Sequence, residues 1–292
     1  MATTAQSETG TLSSVVVKHP RDAFSSPERI ATQWSELNYR EAPDFDRAVD
    51  EFDRFVELLE GAGAAVVFVP GDGAATLDSI YVRDAAIITD AGAVLCAMGK
   101  PERSDEPQQL QPVLAAAGIE VLGSISGYGR LEGGDVAWLP GNRLAVGRSY
   151  RSNDEGFRQL LELTRDAVEE IVQVSLPHWR GPQDVFHLMS ILSPVGDDAV
   201  LVYPPLLPVA FHLWLRERDV RLIEVPDDEF ASMACNVLAL APDKCVALDG
   251  NPITRSRLEK AGIEVLVYDG TEISRKGEGG PTCLTRPLAR EQ

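Results

Sequence analysis

Residues 133–147 read "GGDVAWLPGNRLAVG", two apolar runs separated by Pro-Gly-Asn, which is the signature of a β-hairpin. Behind it come "DEGFRQLLELTRDA" (154–167), with apolar residues at helical spacing, and "EIVQVSLP" (170–177), a further strand. The unit is thus strand, strand, helix, strand. Upstream it returns as "IYVRDAAIITDAGAVLCAM" (80–98), "QQLQPVLAAAG" (108–118) and "IEVLGSI" (119–125). Downstream it returns twice. "FHLMSILSPVGDDAVLVYP" (186–204) is followed by "VAFHLWLRERD" and "VRLIEVP", and "CNVLALAPDKCVALDG" (235–250) by "ITRSRLEKAG" and "IEVLVYD".

A repeat of roughly 50 residues is typical of propellers and arrays. A fifth unit can be assembled only from both ends of the chain. "CLTRPL" (283–288) would pair with "SSVVVKHP" (13–20), followed by the helix "PDFDRAVDEFDRFVELLEGAG" and the strand "AVVFVP" (65–70). That join closes a ring, so the expected fold class is α/β, a five-bladed α/β propeller of ββαβ units with pseudo-fivefold symmetry. The plain alternative is a doubly wound α/β sheet, but hairpins are unexpected in an all-parallel sheet. Residues 1–12 are expected to be a disordered tail and 13–292 a single catalytic domain.

The composition narrows the function classes. With a net charge of −18 and a pI near 4.6, the chain lacks the basic surface that nucleic acid or anionic membrane requires, while a small cationic ligand is favoured. No apolar run approaches the roughly 18–20 residues of a membrane span, and "MATTAQSETGTLSS" has neither the basic flank nor the apolar core of a secretory signal. A cytoplasmic location is expected, and oligomeric state is left open. The cysteines Cys96, Cys235, Cys245 and Cys283 form no CxxC pair, so neither a disulfide framework nor a metal site is expected. P-loop, GxGxxG, HExxH and GxSxG motifs are all missing, and no cofactor is expected.

If the units form a ring, equivalent ends of their first strands face one central channel. Asp84, Glu132, His187 and Cys283 occupy such positions. Cys283, in "GEGGPTCLTRPLAREQ" (277–292), follows two glycines and a proline close to the chain end, a setting that presents a thiol rather than packing it. His187 stands in an apolar strand, where a histidine is commonly a satisfied core residue, but beside a thiol it makes an acid/base partner. His19, His178 and His212 lie in connections or on a helical stretch and are weaker candidates. Glu132 precedes paired glycines that let backbone approach a ligand, or it is simply a turn acid. Strand alternation puts Arg83 and Asp84 on opposite faces. Two carboxylates, Asp84 and Glu132, in one pocket repel unless a cation lies between them.

"EGGD" (132–135), "FHL" (186–188) and "GGPTCLTRPL" (279–288), in that order on five ββαβ units, resemble the guanidine-modifying superfamily. That superfamily comprises dimethylarginine dimethylaminohydrolases, arginine deiminases and amidinotransferases, built on the five-bladed propeller called a pentein. The resemblance implies a metal-free hydrolase acting on the guanidino C–N bond of arginine or an N-methylated arginine through a covalent amidino-cysteine. By the same resemblance Cys283 is the nucleophile, His187 the acid and base, and Glu132 and Asp84 the guanidinium ligands. Asp78, Arg103 and Arg151 then contact the rest of the substrate, the arginines its carboxylate. "FHLMS" looks closer to the dimethylarginine hydrolases, whereas "YVRDAA", with Arg83 where those enzymes carry an acid, looks closer to the deiminases. Amidinotransfer, or a pentein that only binds, remains as an alternative.

Overall fold

The computed structural model describes residues 3–292 apart from Asp72 and Val185. Its strands form five separate sheets. In four of them an antiparallel hairpin is followed by a helix and a third strand parallel to the second. The blades are Ala86–Thr89, Gly92–Leu95 and Val121–Ser124; Val136–Leu139, Arg143–Arg148 and Glu170–Ser175; Leu192–Gly196, Ala199–Val202 and Arg221–Glu224; and Val237–Ala241, Lys244–Leu248 and Glu264–Tyr268. The fifth joins the chain ends: Arg286–Glu291 runs antiparallel to Thr11–Val17, and Ala65–Phe68 lies parallel beside it. Successive blades touch around a closed circuit: Leu192–Gly196 meets Val136–Leu139 and Val237–Ala241, the last meets Thr11–Val17, Arg286–Glu291 meets Ala86–Thr89, and the bridge Ala97–Leu131 links the first blade to the second. The ring read from the sequence is the fold.

Local chemistry explains the elements. The hairpin quoted above turns through Pro140, Gly141 and Asn142, and the last two have positive φ, which Gly and Asn tolerate best. Helix Phe45–Gly61 begins where the Asp44 carboxylate accepts the Arg47 amide at 3.0 Å, and it buries Phe52, Phe55 and Leu59 on one face against the fifth sheet. Each such side chain contributes about 1.5–3 kcal/mol by leaving water. The hairpin strands Ala86–Thr89, Gly92–Leu95 and Val136–Leu139 are buried along their whole length, whereas the outer third strands alternate or are half exposed. Among the described residues, no helix is long and apolar enough to cross a membrane.

Two expectations need correction. Residues 3–12 are not a disordered tail. Thr3 and Thr4 pair with Glu291 and Arg290, Gln6 donates to Asn142 Oδ1 and the Ala167 carbonyl, both at 2.8 Å, and buried Glu8 is salt-bridged to Arg83. The polar, Gly-containing composition suggested solvation, but these side chains find partners on three blades. Residues 78–84 are not strand either. They form two 3-10 turns, Leu77–Ile80 and Val82–Ala85, so alternation does not govern Arg83 and Asp84, and both are buried.

Segment 20–42 is packed rather than loose. After helices Pro20–Ala23 and Pro27–Gln33 it crosses the ring mouth, where the Leu37 carbonyl accepts Lys100 Nζ at 2.9 Å and the Arg40 amide donates to Lys276 O at 2.8 Å. Beneath it a π turn, Thr271–Arg275, is held by Glu51, whose Oε2 accepts the Glu272 amide at 2.7 Å. Burial pushes the Glu51 carboxyl up to about 7, with Asp269 and Glu272 adding to the rise against the backbone hydrogen bonds. A carboxyl raised in the folded state contributes stability that is complete below its unfolded value and lost as pH climbs through about 7. Glu51→Gln keeps the acceptor without the charge. Its melting temperature relative to the wild type therefore rises between pH 5 and pH 8, and a difference that is flat with pH would show that the carboxylate is not destabilised by burial.

Candidate active site

Four polypeptide segments meet at one mouth of the ring, each just before the first strand of a blade. Asp84 lies in the turn Val82–Ala85, Glu132 before the turn Gly133–Asp135, His187 at the start of the turn Leu188–Ser190, and Cys283 in the turn before strand Arg286–Glu291. His187 and Cys283 are therefore not on strands, as expected, but on the tight turns that lead into them. The reason is steric: a turn puts the side chain over the channel, where a pleated strand would aim it at a neighbouring blade.

Glu132 is fully buried and heavily hydrogen-bonded. Its Oε1 accepts the Gly99 amide at 2.8 Å and Arg151 Nη1 at 3.1 Å, and its Oε2 lies 2.7 Å from His187 Nε2. Burial alone would raise its carboxyl, yet the His187 hydrogen bond and the Arg151 charge overcome it and hold the group well below the usual carboxylate range. Asp84 accepts the Gly134 amide at 2.8 Å and Arg103 Nη1 at 2.6 Å, and lies 3.9 Å from His187 Nδ1. Burial disfavours the imidazolium, but Asp84, Asp135 and Glu132 outweigh it and raise His187 to about 9. His187 is thus a cation at neutral pH. Burial, reinforced by the Asp84 charge, pushes the Cys283 thiol up, so it rests protonated.

The paired glycines have a steric purpose. A Cβ on Gly134 would stand 2.4 Å from His187 Nδ1 and 2.8 Å from Asp84 Oδ1, and one on Gly133 would stand 2.2 Å from the Arg83 carbonyl. Only glycine lets these turns close up.

Cys283 and His187 face two adjoining cavities. One holds most of the charged groups, Asp78, Asp84, Lys100, Arg103, Arg151 and Glu278. The other carries the large apolar side chains Trp179, Phe186, Met189, Phe230 and Met233, together with Arg40, Arg180, Asp184 and Glu278. Of the expected substrate ligands, Asp78 lies in the first with its carboxylate 2.6 Å from Lys100 Nζ. Arg151 also lies there, on Glu132. Arg103 lines the same cavity, and Glu106, Asp84 and the Tyr81 carbonyl engage four of its five N–H groups, so most of its guanidinium is spent on positioning Asp84.

The sequence reading missed Lys100, Asp135 and Asn236. Asp135 accepts Ser149 Oγ at 2.6 Å and the Leu188 amide at 2.9 Å, pinning the turn that bears His187. Asn236 donates to Cys283 Sγ at 3.5 Å while its Oδ1 accepts the Thr282 amide and hydroxyl. Asp135 stands in the quoted "EGGD", so its signal was present but assigned no role. Asn236 and Lys100 sit in no motif. Ligand atoms of Asp84, Glu132 and His187 lie within 4.8 Å of one another, a spacing compatible with a metal ion. They are already bound to Arg103, Arg151 and each other, a pattern suited to a planar cation with N–H edges.

Comparison with known proteins agrees with this geometry. Over 245 residues the chain is 29% identical to the uncharacterized protein YkgA of Bacillus subtilis, covering 83% of this chain and 80% of that one. Over 244 residues it is 25% identical to the N(G),N(G)-dimethylarginine dimethylaminohydrolase of Pseudomonas aeruginosa, covering 83% and 89%. Among solved structures, a Pseudomonas aeruginosa dimethylarginine dimethylaminohydrolase complexed with citrulline superimposes with a TM-score of 0.76 at 22% identity over 96% of this chain and 99% of that one. The N-terminal domain of ArgZ, an arginine dihydrolase of cyanobacteria, does so with 0.77 at 21% identity over 93% and 96%. These likenesses establish the pentein fold. The family model described as "N,N dimethylarginine dimethylhydrolase, eukaryotic" matches residues 25–290, and the chain belongs to that family of guanidine-modifying enzymes.

Proposed function

We propose that this protein hydrolyses the guanidino C–N bond of an N-methylated arginine, giving citrulline and a methylated amine, with Cys283 as nucleophile. The observation that carries the reading is the meeting of two unlike cavities at Cys283 and His187. The one richer in charged groups suits a guanidinium on Asp84 and Glu132, with Asp78 and Lys100 placed for the charged groups of an amino acid. The one with the large apolar side chains suits an N-alkyl substituent, because Trp179, Phe186 and Phe230 offer it aromatic faces.

In the free enzyme Cys283 is a thiol beside an imidazolium. A guanidinium bound between Asp84 and Glu132 offsets the negative charge that helps hold the thiol protonated, and so favours the thiolate, whose proton passes to solvent. Sγ then attacks the guanidinium carbon. As the tetrahedral centre collapses, the C–N bond to the substituted nitrogen breaks and His187 gives that nitrogen a proton, leaving an amidino group on sulfur. Neutral His187 next takes a proton from water, the hydroxide adds to the same carbon, and the C–S bond breaks as the hydroxyl proton passes to sulfur, releasing the ureido product and restoring the thiol and the imidazolium. Glu132 keeps the imidazole oriented through both proton transfers. Arg151 must yield its place on Glu132 to the substrate, and its freed guanidinium is then available to the substrate carboxylate.

The purified protein is expected to release dimethylamine or methylamine and citrulline from asymmetric dimethylarginine or monomethylarginine, faster than ammonia from arginine, as identified by mass spectrometry. Preference for arginine would overturn the substituent assignment, and no amine from any of them the reading as a whole. Cys283→Ser should lower kcat by about 10³-fold or more while substrate still binds by calorimetry, since only the bond-forming atom is lost. Glu132→Gln should weaken binding by about 2–5 kcal/mol, the loss when one member of a buried charge pair is removed. Alkylation of Cys283 by iodoacetamide in the free enzyme should be slow at pH 7 and accelerate as pH rises, because the thiol must ionise first. A rate independent of pH from 6 to 9 would mean a preformed thiolate.

A further inference from the structure

Beneath the catalytic turns three guanidiniums are enclosed together. Arg83, Arg286 and Arg290 are each almost entirely removed from solvent. Arg286 Nη2 donates to the Arg83 carbonyl at 2.7 Å, and Arg290 Nη1 to the carbonyls of Gly10 and Ala239 at 2.6 and 2.9 Å. Arg83 is ion-paired with Glu8, from the N-terminal segment. Among the described residues, five nitrogens of this group, Arg83 Nε and Nη1, Arg286 Nε, and Arg290 Nε and Nη2, are buried without an acceptor. Native structures rarely leave charged donors so, because each costs the full desolvation of that group.

Charge sharpens the point. The three arginines carry three positive charges, and among the described residues the carboxylate bonded to the group is that of Glu8, on Arg83. Asp84 lies close enough to Arg286 to be felt, but its oxygens are taken by Arg103 and the Gly134 amide, and burial keeps the Cys96 thiol neutral. Burial and repulsion from Arg83 bring Arg286 down to about 9, and burial brings Arg290 down to about 10, in both cases against the attraction of Glu8. Water would accept the orphan N–H groups but would leave this surplus uncompensated. A large oxyanion is disfavoured, since the carbonyls of Gly10, Arg83 and Ala239 surround the same donors and repel further oxygens.

We propose that Arg83, Arg286 and Arg290 form a binding site for a small monatomic anion of the halide class, beneath the active site and closed over by the segment bearing Glu8. The Arg83 amide donates to the Cys283 carbonyl at 3.3 Å, so the anion steadies the turns that present Asp84 and Cys283.

The test is thermal unfolding of the full chain in sodium gluconate, replaced stepwise by sodium bromide at constant ionic strength, with bromide anomalous scattering from crystals grown in the same salt. The melting temperature should climb with the logarithm of bromide once its concentration exceeds the dissociation constant, by about 2–4 °C for each kcal/mol of linked binding. One anomalous peak should lie among the three guanidiniums. Arg290→Gln should lose both signals. Should that variant fail to fold, Glu8→Gln, which removes a competing negative charge, should begin this climb at several-fold lower bromide. A melting temperature that bromide does not raise, ordered water without an anomalous peak, or a bromide response unchanged in Arg290→Gln or weaker in Glu8→Gln would each overturn the assignment.

Discussion

The pairing of strand Arg286–Glu291 with Thr11–Val17 is the contact on which the rest of the molecule depends. It joins the two ends of the chain into one blade and so turns a linear array of ββαβ units into a ring. Without it, Cys283 would hang from an unpaired terminal segment, far along the chain from Asp84, Glu132 and His187. With it, the turn before the closing strand lies against the turn before the first blade, through the Arg83 amide and the Cys283 carbonyl. The strand ladder also makes the N-terminal residues structural, because Thr3 and Thr4 extend the same sheet from its other edge.

Closing the ring concentrates charge in a dry centre. Every carboxylate there has a cationic or amide partner: Asp84 with Arg103, Glu132 with His187 and Arg151, Asp78 with Lys100, Glu8 with Arg83. Breaking one such pair leaves a buried charge uncompensated, at a cost of about 3–5 kcal/mol. The centre is therefore stiff, and its hydrogen bonds also set protonation states. His187 is held as the imidazolium and Cys283 as the thiol, and a bound cation would favour the thiolate. An anion below the floor and a guanidinium above it would be separate contributions to one field, each supplying the charge that its layer lacks.

The repeat was legible because its chemistry is local. Alternating apolar runs, Pro-Gly-Asn turns and helical spacing act over a few residues, so each blade can be read from its own stretch, and the split fifth blade followed from counting units. Glu132 and Gly133–Asp135 were legible as a motif, but the reason for the glycines, a contact with Asp84 and His187, lies in residues far away in sequence. The hold of Arg103 on Asp84 was not legible, because the sequence shows a cation and not the three acceptors that engage it. Asn236 escaped notice because an asparagine after a cysteine resembles any turn, and its bond to Cys283 Sγ exists only once the fourth and fifth blades meet.

The sequence by itself thus determined which elements form and in what order, since backbone preference and apolar periodicity are carried by neighbours along the chain. The tertiary structure alone decided which charges meet, which of them are spent on one another and which stay open to a ligand. Burial and electrostatics depend on distance in space, and ring closure brings together residues that the chain keeps far apart.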